Sequence, residues 1–560
     1  MRDLAYLKLL SREYPNIRAA ASDIINLQAI CGLPKGTEYF FSDLHGEHEA
    51  FIYLLRSSSG IIREKIRETF GHIISEEDEV RLANLIYYPE KMINQIKQAN
   101  EYTEDWQKTA VYRLVQICRE VSSKYTRSKV RKKMPREFSG VIDELLYVDN
   151  TDDNKTEYYS ELINTLIDVR VADSFIVVIC SLIRSLTIDN LHILGDIFDR
   201  GPRPDIILEE LMHFHDVDIQ WGNHDISWMG AATGNRACIC NVLRMALGYN
   251  GFDVLEDGYG INLRPLSMFA ERVYRDDPCT CFLPQILDKN IYDAVDPKLA
   301  AKMHKAIAVL QYKEEGQIIK RHPEYGMEER ILLSAIRYDR GTVTIDGKEY
   351  PMRDMNFPTV DPADPLRLTD EEEELLHTLE LSFRHNTRLH EHVRFLYSNG
   401  SMYKCCNSNL LYHGCIPMTE NREFDGLMVG GKMYRGKELM DFIDTQVKNA
   451  YFLPEDAPEK EACRDFMWYL WNGAKSPVFG KDKNRSFEHY FIEDPEVMRE
   501  TMNPYYQLSE EEETCDMILK EFGLPTKGSH IINGHMPVKI KSGETPIRAG
   551  GKLFIIDGGL

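Results

Sequence analysis

A chain of 560 residues, 43% of them hydrophobic, is too long for one ordinary core and is expected to divide into about three or four domain-sized pieces. An apolar share near the globular average excludes disorder throughout and a fibrous architecture. The formal net charge of −22 excludes a general nucleic-acid binder, because neutralising phosphates requires a broad basic surface.

The opening MRDLAYLKLLSREYPN scatters charges among its apolar residues and offers no small-residue cleavage site, so it predicts a helix and not a secretion signal. EYFF from Glu38, closed by SDLHG, predicts a short buried strand running into a polar loop. These elements make up a first piece, 1–48, holding the N-terminal helices and the first core strand. Residues 49–189 follow helical periodicity, as in 79–96 and 158–186, and predict a helical insertion. Inside it, seven of the thirteen residues 124–136 are basic. A solvated face is expected there, with docking of an anionic effector or pairing with acidic helices as alternatives. The most apolar stretch, 171–188, carries Asp173 and Arg184 and is short for a membrane span, so it predicts a buried helix and no membrane partner.

Apolar runs from Asn190 (NLHI) and Val217 (VDIQ) predict two more strands, each closed by a glycine-bearing loop, within a core piece 190–230. Residues 231–404 predict a mixed insertion with a hairpin over 342–350 turning at Asp346-Gly347 and a proline-rich connector over 358–365. A helix then opens on the acidic residues 371–374, whose carboxylates suit a helix N-terminus better than a metal. The core is expected to return over 405–450 with a strand from Asn409. A helical and loop insertion follows over 451–529, and the core resumes over 530–560 with strands from His530 and Leu553, the latter before Asp557-Gly558-Gly559. Twelve cysteines without a C-x-x-C pair predict reduced thiols of a cytoplasmic protein and give no support to a zinc ribbon.

The reactive residues lie just past the carboxyl ends of these strands, where open α/β sheets and layered sandwiches place their ligands. Asp43 and His45 share one loop. Asp196, Asp199 and Arg200 in GDIFDRG follow the second strand, and Asn223 and His224 in GNHD follow the third. His413 and His535 each stand beside a glycine after later strands. One such residue alone would be an ordinary loop or core side chain; five loops with the same content predict a dinuclear site of oxygen and nitrogen donors, suited to manganese, iron or zinc. Asp196 is the natural bridge between two cations about 3.5 to 4 Å apart. Asp43 and His45 would complete the first metal, and Asn223, His413 and His535 the second. Water activated between the cations becomes the nucleophile. Arg200 neutralises phosphate oxygens, His224 protonates the departing alkoxide and Asp199 orients the His224 ring. Asp225 is left without a task.

Asp-x-His-Gly, Gly-Asp-x-x-Asp-Arg-Gly, Gly-Asn-His-Asp, His-Gly and Gly-His, in this order, resemble the calcineurin-like metallophosphatase superfamily. That resemblance implies an α/β fold in which a two-sheet β-sandwich is flanked by helices, here with large, mainly helical insertions. The insertion after His45, RFLYSNGSMYKCCNSNLLYHGCIP from Arg394 and KSPVFGKDKNRSFEHYFIED from Lys475 resemble the class III fructose-1,6-bisphosphatases of Firmicutes and Bacteroidetes over essentially the whole chain. This closer resemblance implies removal of the 1-phosphate of fructose 1,6-bisphosphate, a gluconeogenic step, with two divalent metal ions, usually Mn2+. It also implies a homo-oligomer that responds to nucleotide or phosphometabolite effectors. Relatives run beyond Leu560, so a chain shortened at its C-terminus is expected.

Three positions depart from the broader superfamily. Asp225 stands where serine/threonine phosphatases have glutamate, Gly414-Cys415 follows His413, and Met536-Pro537 occupies the place of a second histidine, leaving the first metal fewer protein ligands. For the second phosphate of the sugar, the candidates are Lys475, Lys481, Lys483 and Arg485 in a basic, glycine-containing stretch. The alternatives are a protein serine/threonine phosphatase, a dinucleotide polyphosphate hydrolase, or a catalytically silent metal-binding scaffold. The presence of every core motif residue argues against the last.

Overall fold

The computed structural model describes residues 2–33, 35–147, 153–285 and 296–557; Gly558 and Gly559 lie outside the described residues. The chain is a mixed α/β protein, mainly helical with several small sheets. It divides into two compact units, residues 1–39 with 53–191, and residues 40–52 with 192–560. No helix among the described residues is long and apolar enough to cross a membrane.

The first unit is helical because its apolar residues recur at a spacing of three and four. Glu104–Ser122 buries Val111, Leu114, Val115, Cys118 and Val121 on one stripe, and Ala172–Thr187 buries Phe175, Ile176, Ile179 and Ile183; both belong to one core. Two stretches of continuous periodicity prove to be helix pairs. Residues 79–96 fall in Glu76–Tyr87 and Pro89–Gln98, broken where Pro89 lacks an N–H. Residues 158–186 fall in Asp153–Asp168 and Ala172–Thr187, separated by a turn in which Arg170 has a φ of 59°. The basic run contains the helix Arg127–Lys133, and its charges meet carboxylates. Arg131 donates to both oxygens of Asp143 at 2.9 and 2.6 Å, while Lys129 and Lys133 both reach Asp189.

Two sheets position the site. One has the order β1 (Glu38–Phe41), β2 (Asn190–Ile193), β3 (Val217–Gln220) and β4 (Gly400–Ser401). The other comprises β5 (Tyr403–Cys406), β6 (Asn409–Tyr412), β7 (His530–Asn533), β8 (Ile547–Arg548) and β9 (Leu553–Ile555), in the order β8-β9-β7-β6-β5. β6, β7 and β9 run parallel, with Leu410 opposite Ile531 and Ile531 opposite Leu553. Parallel strands bring their carboxyl ends to one edge, which is why residues far apart in sequence share a neighbourhood. Leu194, just past β2, packs with Leu411 of β6 and Ile532 of β7, and Phe40 of β1 and Phe554 of β9 join the same cluster.

Elsewhere in the second unit, Thr342–Ile345 pairs with Lys348–Pro351 through a turn in which Asp346 and Gly347 both have positive φ, the tight hairpin geometry that asparagine, aspartate and glycine favour. Helix Asp370–Arg384 opens with a reciprocal cap: Glu372 N donates to Thr369 Oγ1 and Thr369 N donates to Glu372 Oε2, so the acidic start serves the helix. Helices Arg236–Gly248 and Pro297–Arg321 pack on each other.

Leu411 is fully buried in the cluster shared by the two sheets. Leu411→Ala is expected to cost about 2–5 kcal/mol, the range for truncating a core leucine, read as a shift in chemical denaturation.

Candidate functional site

Each reactive loop begins where a strand stops. Asp43 and His45 follow β1; Asp196, Asp199 and Arg200 follow β2. Asn223 and His224 open helix Asn223–Ala232 directly after β3, and His413 and His535 follow β6 and β7. Six of these residues hold left-handed backbone conformations: Asp43 (φ 54°), His45 (42°), Asp196 (55°), Asp199 (66°), Arg200 (68°) and His535 (68°). Such non-glycine residues cost about 1–3 kcal/mol each and persist only where their surroundings over-determine them.

Here the loops are stitched together by backbone hydrogen bonds. Asp43 N donates to Gly195 O at 3.0 Å, His45 N to Asp196 O at 2.9 Å and Gly46 N to Ile197 O at 2.9 Å. Asp225, which sequence reasoning left idle, fastens the second and third loops. Its carboxylate accepts from Asp196 N (2.8 Å), Ile197 N (2.9 Å) and Gly222 N (3.0 Å). The signal for it lay in its position three residues after the helix-opening Gly222, where an acidic side chain returns to exposed amides. Two glycines make the approach possible. A Cβ on Gly222 would stand 2.1 Å from Asp196 Oδ1, and one on Gly534 would stand 1.7 Å from Ser42 Oγ.

The side chains converge. One donor atom each from His45, Asp196 and His224 lie within 4.8 Å of one another, and so do those from Asp196, His413 and His535. Asp43 Oδ1 lies 4.0 Å from His45 Nε2, and its other oxygen accepts from His535 N at 3.0 Å and from Ser42. Backbone carbonyls fix the imidazoles. His413 Nδ1 donates to Leu194 O (2.6 Å), His45 Nδ1 to Phe198 O (3.1 Å) and His535 Nε2 to Phe479 O (3.1 Å). The remaining nitrogens therefore aim inward, with His413 Nε2 3.1 Å from His535 Nδ1 and 3.3 Å from Asp196. Two ring nitrogens that close, both bearing lone pairs, need a cation or a proton between them. Asn223 Oδ1 is buried with no hydrogen-bond partner among the described residues. An unmet amide oxygen, facing imidazole lone pairs and buried carboxylates fit a site for divalent cations.

Electrostatics agree. Burial pushes the Asp43 carboxyl up to about 7, with Asp196 and Asp557 adding to the rise against His413. Burial also raises Asp225 to about 6, helped by Asp196. Burial opposes ionisation of Asp196 too, yet the facing His413 and His224 hold it well below the ordinary carboxylate value. His413 is raised to about 10, Asp196 overcoming the burial penalty. His45 and His535 fall to about 3, mainly through burial and then through a neighbouring imidazole. Crowded, mutually opposed charges of this kind mark functional clusters.

At the rim, His224 Nδ1 meets Asp199 Oδ2 at 2.7 Å, and Trp228 Nε1 donates to Asp199 Oδ1 at 2.8 Å. Arg200 and His224 line a cavity of about 860 Å³ together with Asp43, His45, Asp196 and His535. Of the four basic residues expected to meet a second phosphate, only Lys481 lines this cavity. Lys475 pairs with Asp425. Lys483 pairs with Asp346 (2.5 Å) and Glu329 (3.4 Å), and the buried Arg485 with Asp482 (3.2 Å) and Glu488 (3.4 Å). Sequence reasoning missed Arg244 and Tyr490, which do line it; both sit within helices, where no turn or motif marks them.

Inward-facing oxygen and nitrogen donors beside an arginine and a carboxylate-held histidine fit a hydrolase of phosphate esters. Comparison narrows this class. Residues 5–560 match the family model for Firmicute fructose-1,6-bisphosphatase, and the chain belongs to that family. The fructose-1,6-bisphosphatase class 3 of Clostridium tetani is 52% identical over 557 residues, covering 100% of this chain and 84% of the relative. Those of Clostridium novyi and Bacteroides fragilis are 50% and 51% identical over 558 residues, with the same coverage. No solved structure matches the chain.

Asp225→Ala strips three buried amides of their acceptor. At about 1–3 kcal/mol per unmet donor, the variant is expected to lose at least about 3 kcal/mol in denaturant unfolding.

Proposed function

We propose that this chain hydrolyses fructose 1,6-bisphosphate to fructose 6-phosphate and inorganic phosphate, a gluconeogenic step, at a dinuclear metal centre. The observation that carries this reading is the conjunction of a whole-chain family match with a buried donor set facing one cavity. Asp196, common to both close trios of donors, would bridge the two cations. Asp43 and His45 would hold the first; Asn223, His413 and His535 the second. Two divalent cations, when bound, supply the positive charge that makes water nucleophilic near neutral pH and offsets the charge of the phosphate. The oxygen and nitrogen donors suit manganese.

The chain's own residues do the rest. With Nδ1 committed to Asp199, His224 presents Nε2 to the cavity, where it delivers a proton to the departing C1 oxygen. Trp228 holds Asp199 from its other oxygen, so the imidazole keeps one orientation and one tautomer. Arg200, at the cavity wall, offers a planar fork of donors to the phosphate oxygens. Asp225 acts on none of these atoms; it keeps the Asp196 loop in its strained shape. The apolar cluster shared by the two sheets, with the donors at strand ends, supports a calcineurin-like sandwich. The free cysteines, most of them buried, are in keeping with a reducing cytoplasm.

The test is phosphate release with added manganese from fructose 1,6-bisphosphate, fructose 6-phosphate, a phosphopeptide and a dinucleotide polyphosphate. Strong preference for the sugar bisphosphate is expected, whereas preference for another substrate would overturn the assignment. His224→Asn should lower kcat by about 100- to 10,000-fold, the range for losing a general acid, while binding manganese as wild type does. Unchanged turnover would remove His224 from the chemistry.

A further inference from the structure

A sugar bisphosphate anchored by its reacting phosphate at the strand ends carries a second anion into the same 860 Å³ cavity. Among the described residues, the lysine and arginine cations that line that space are Arg200, Lys481 and Arg244. Arg200 stands on the strand-end loop beside the donor cluster. Lys481 is neutralised within the cavity, its Nζ lying 2.6 Å from the carboxylate of Glu500. Arg244 differs from both.

Arg244 is buried, at 6% exposure, and among the described residues all its hydrogen-bond partners are uncharged. Nε donates to Gln311 Oε1 (2.7 Å), Nη2 to Asn241 Oδ1 (2.8 Å) and Nη1 to Tyr490 Oη (3.1 Å). Among the described residues it makes no ion pair. The charge of Glu315 bears on it, but that carboxylate accepts from Gln311 Nε2 (2.8 Å) and Trp468 Nε1 (3.1 Å) instead. An unpaired buried cation is costly, and an arriving anion would repay that penalty directly.

The network around Arg244 sets its direction in advance. His304 Nδ1 donates to Phe282 O at 2.9 Å, so His304 Nε2, 2.9 Å from Tyr490 Oη, is the acceptor of the Tyr490 proton. The Tyr490 oxygen is then free to receive Arg244, and both groups line the cavity with no carboxylate bonded to either among the described residues. A preorganised planar guanidinium is the side chain best matched to a phosphate dianion.

We propose that Arg244, held in place by Tyr490, forms the subsite for the distal, non-reacting phosphate of the substrate, and so selects a sugar bisphosphate over a monophosphate. This rests on the bisphosphatase reading given above.

The experiment uses the manganese-loaded enzyme with two substrates, fructose 1,6-bisphosphate and p-nitrophenyl phosphate, and with fructose 6-phosphate as inhibitor of the second. Arg244→Met should lower the preference for the bisphosphate, as a ratio of kcat/KM values, by about 100-fold, the scale of lost charge-assisted hydrogen bonds. It should weaken inhibition by fructose 6-phosphate to a similar degree and leave inhibition by inorganic phosphate in place. A retained preference, or equal losses on both substrates, would overturn the subsite. If Arg244→Met fails to fold, Tyr490→Phe decides: it removes the acceptor that holds Arg244 Nη1 in place, so a fall in preference of about tenfold, the scale of one hydrogen bond, supports the subsite, and an unchanged ratio overturns it. A wild-type enzyme without preference for the bisphosphate would instead overturn the reading beneath it.

Discussion

The carboxylate of Asp196, 2% exposed, must stay ionised where water scarcely reaches, and much of the site is arranged around that requirement. Removing an ion from water carries a penalty of several kcal/mol even after relaxation. It is offset here by His413 at 3.3 Å, by the amide of His224 at 3.0 Å, and by the imidazole of His224 nearby. These partners come from different loops, so the charge can be stabilised only if β2, β3 and β6 end at one place. Gly222 must also remain glycine, since any side chain would collide with the carboxylate it abuts.

This requirement links the fold to the chemistry. The sheets share Leu194, Leu411 and Ile532, and Leu194 O anchors the ring of His413. An apolar residue of the core is thus one bond from a candidate metal donor. Rigid strands below and backbone-stitched loops above hold the donors in strained left-handed turns, a state the protein tolerates because the carboxylate of Asp225 and the paired loops leave no easier alternative. Preorganisation of this kind is what a site needs if charge is to be stabilised without rearrangement during reaction.

Much of this is legible in the sequence, and for a physical reason. Strands end abruptly, as NLHI and VDIQ do at glycine-bearing loops, and side chains at such ends have few places to point. The short hairpin at Asp346-Gly347 is equally local, following from what those two residues' backbones can adopt; the break at Pro89 is local too, but the apolar periodicity running through 79–96 hides it. The break near Arg170 is not, because nothing in its own chemistry demands a left-handed turn. Basic density also fails as a guide. Lys475 and Lys483 look available in sequence, yet they meet Asp425, Asp346 and Glu329, which only folding brings to them. Conversely Arg244 lies in an apolar helix, ACICNVLRMALG, where an arginine reads as a surface charge. Its burial depends on the helix Pro297–Arg321, which supplies Gln311 and His304, and no local pattern reports such a meeting.

The central claim is that Asp196 joins two donor sets into one proposed dinuclear centre. Manganese content per chain, measured together with electron paramagnetic resonance on the wild type and on Asp196→Asn, tests it most directly. Two manganese ions per chain with an exchange-coupled signal, replaced in the variant by at most one uncoupled ion, is the predicted result. A single uncoupled ion in the wild type, or a coupled pair that survives Asp196→Asn, would contradict it.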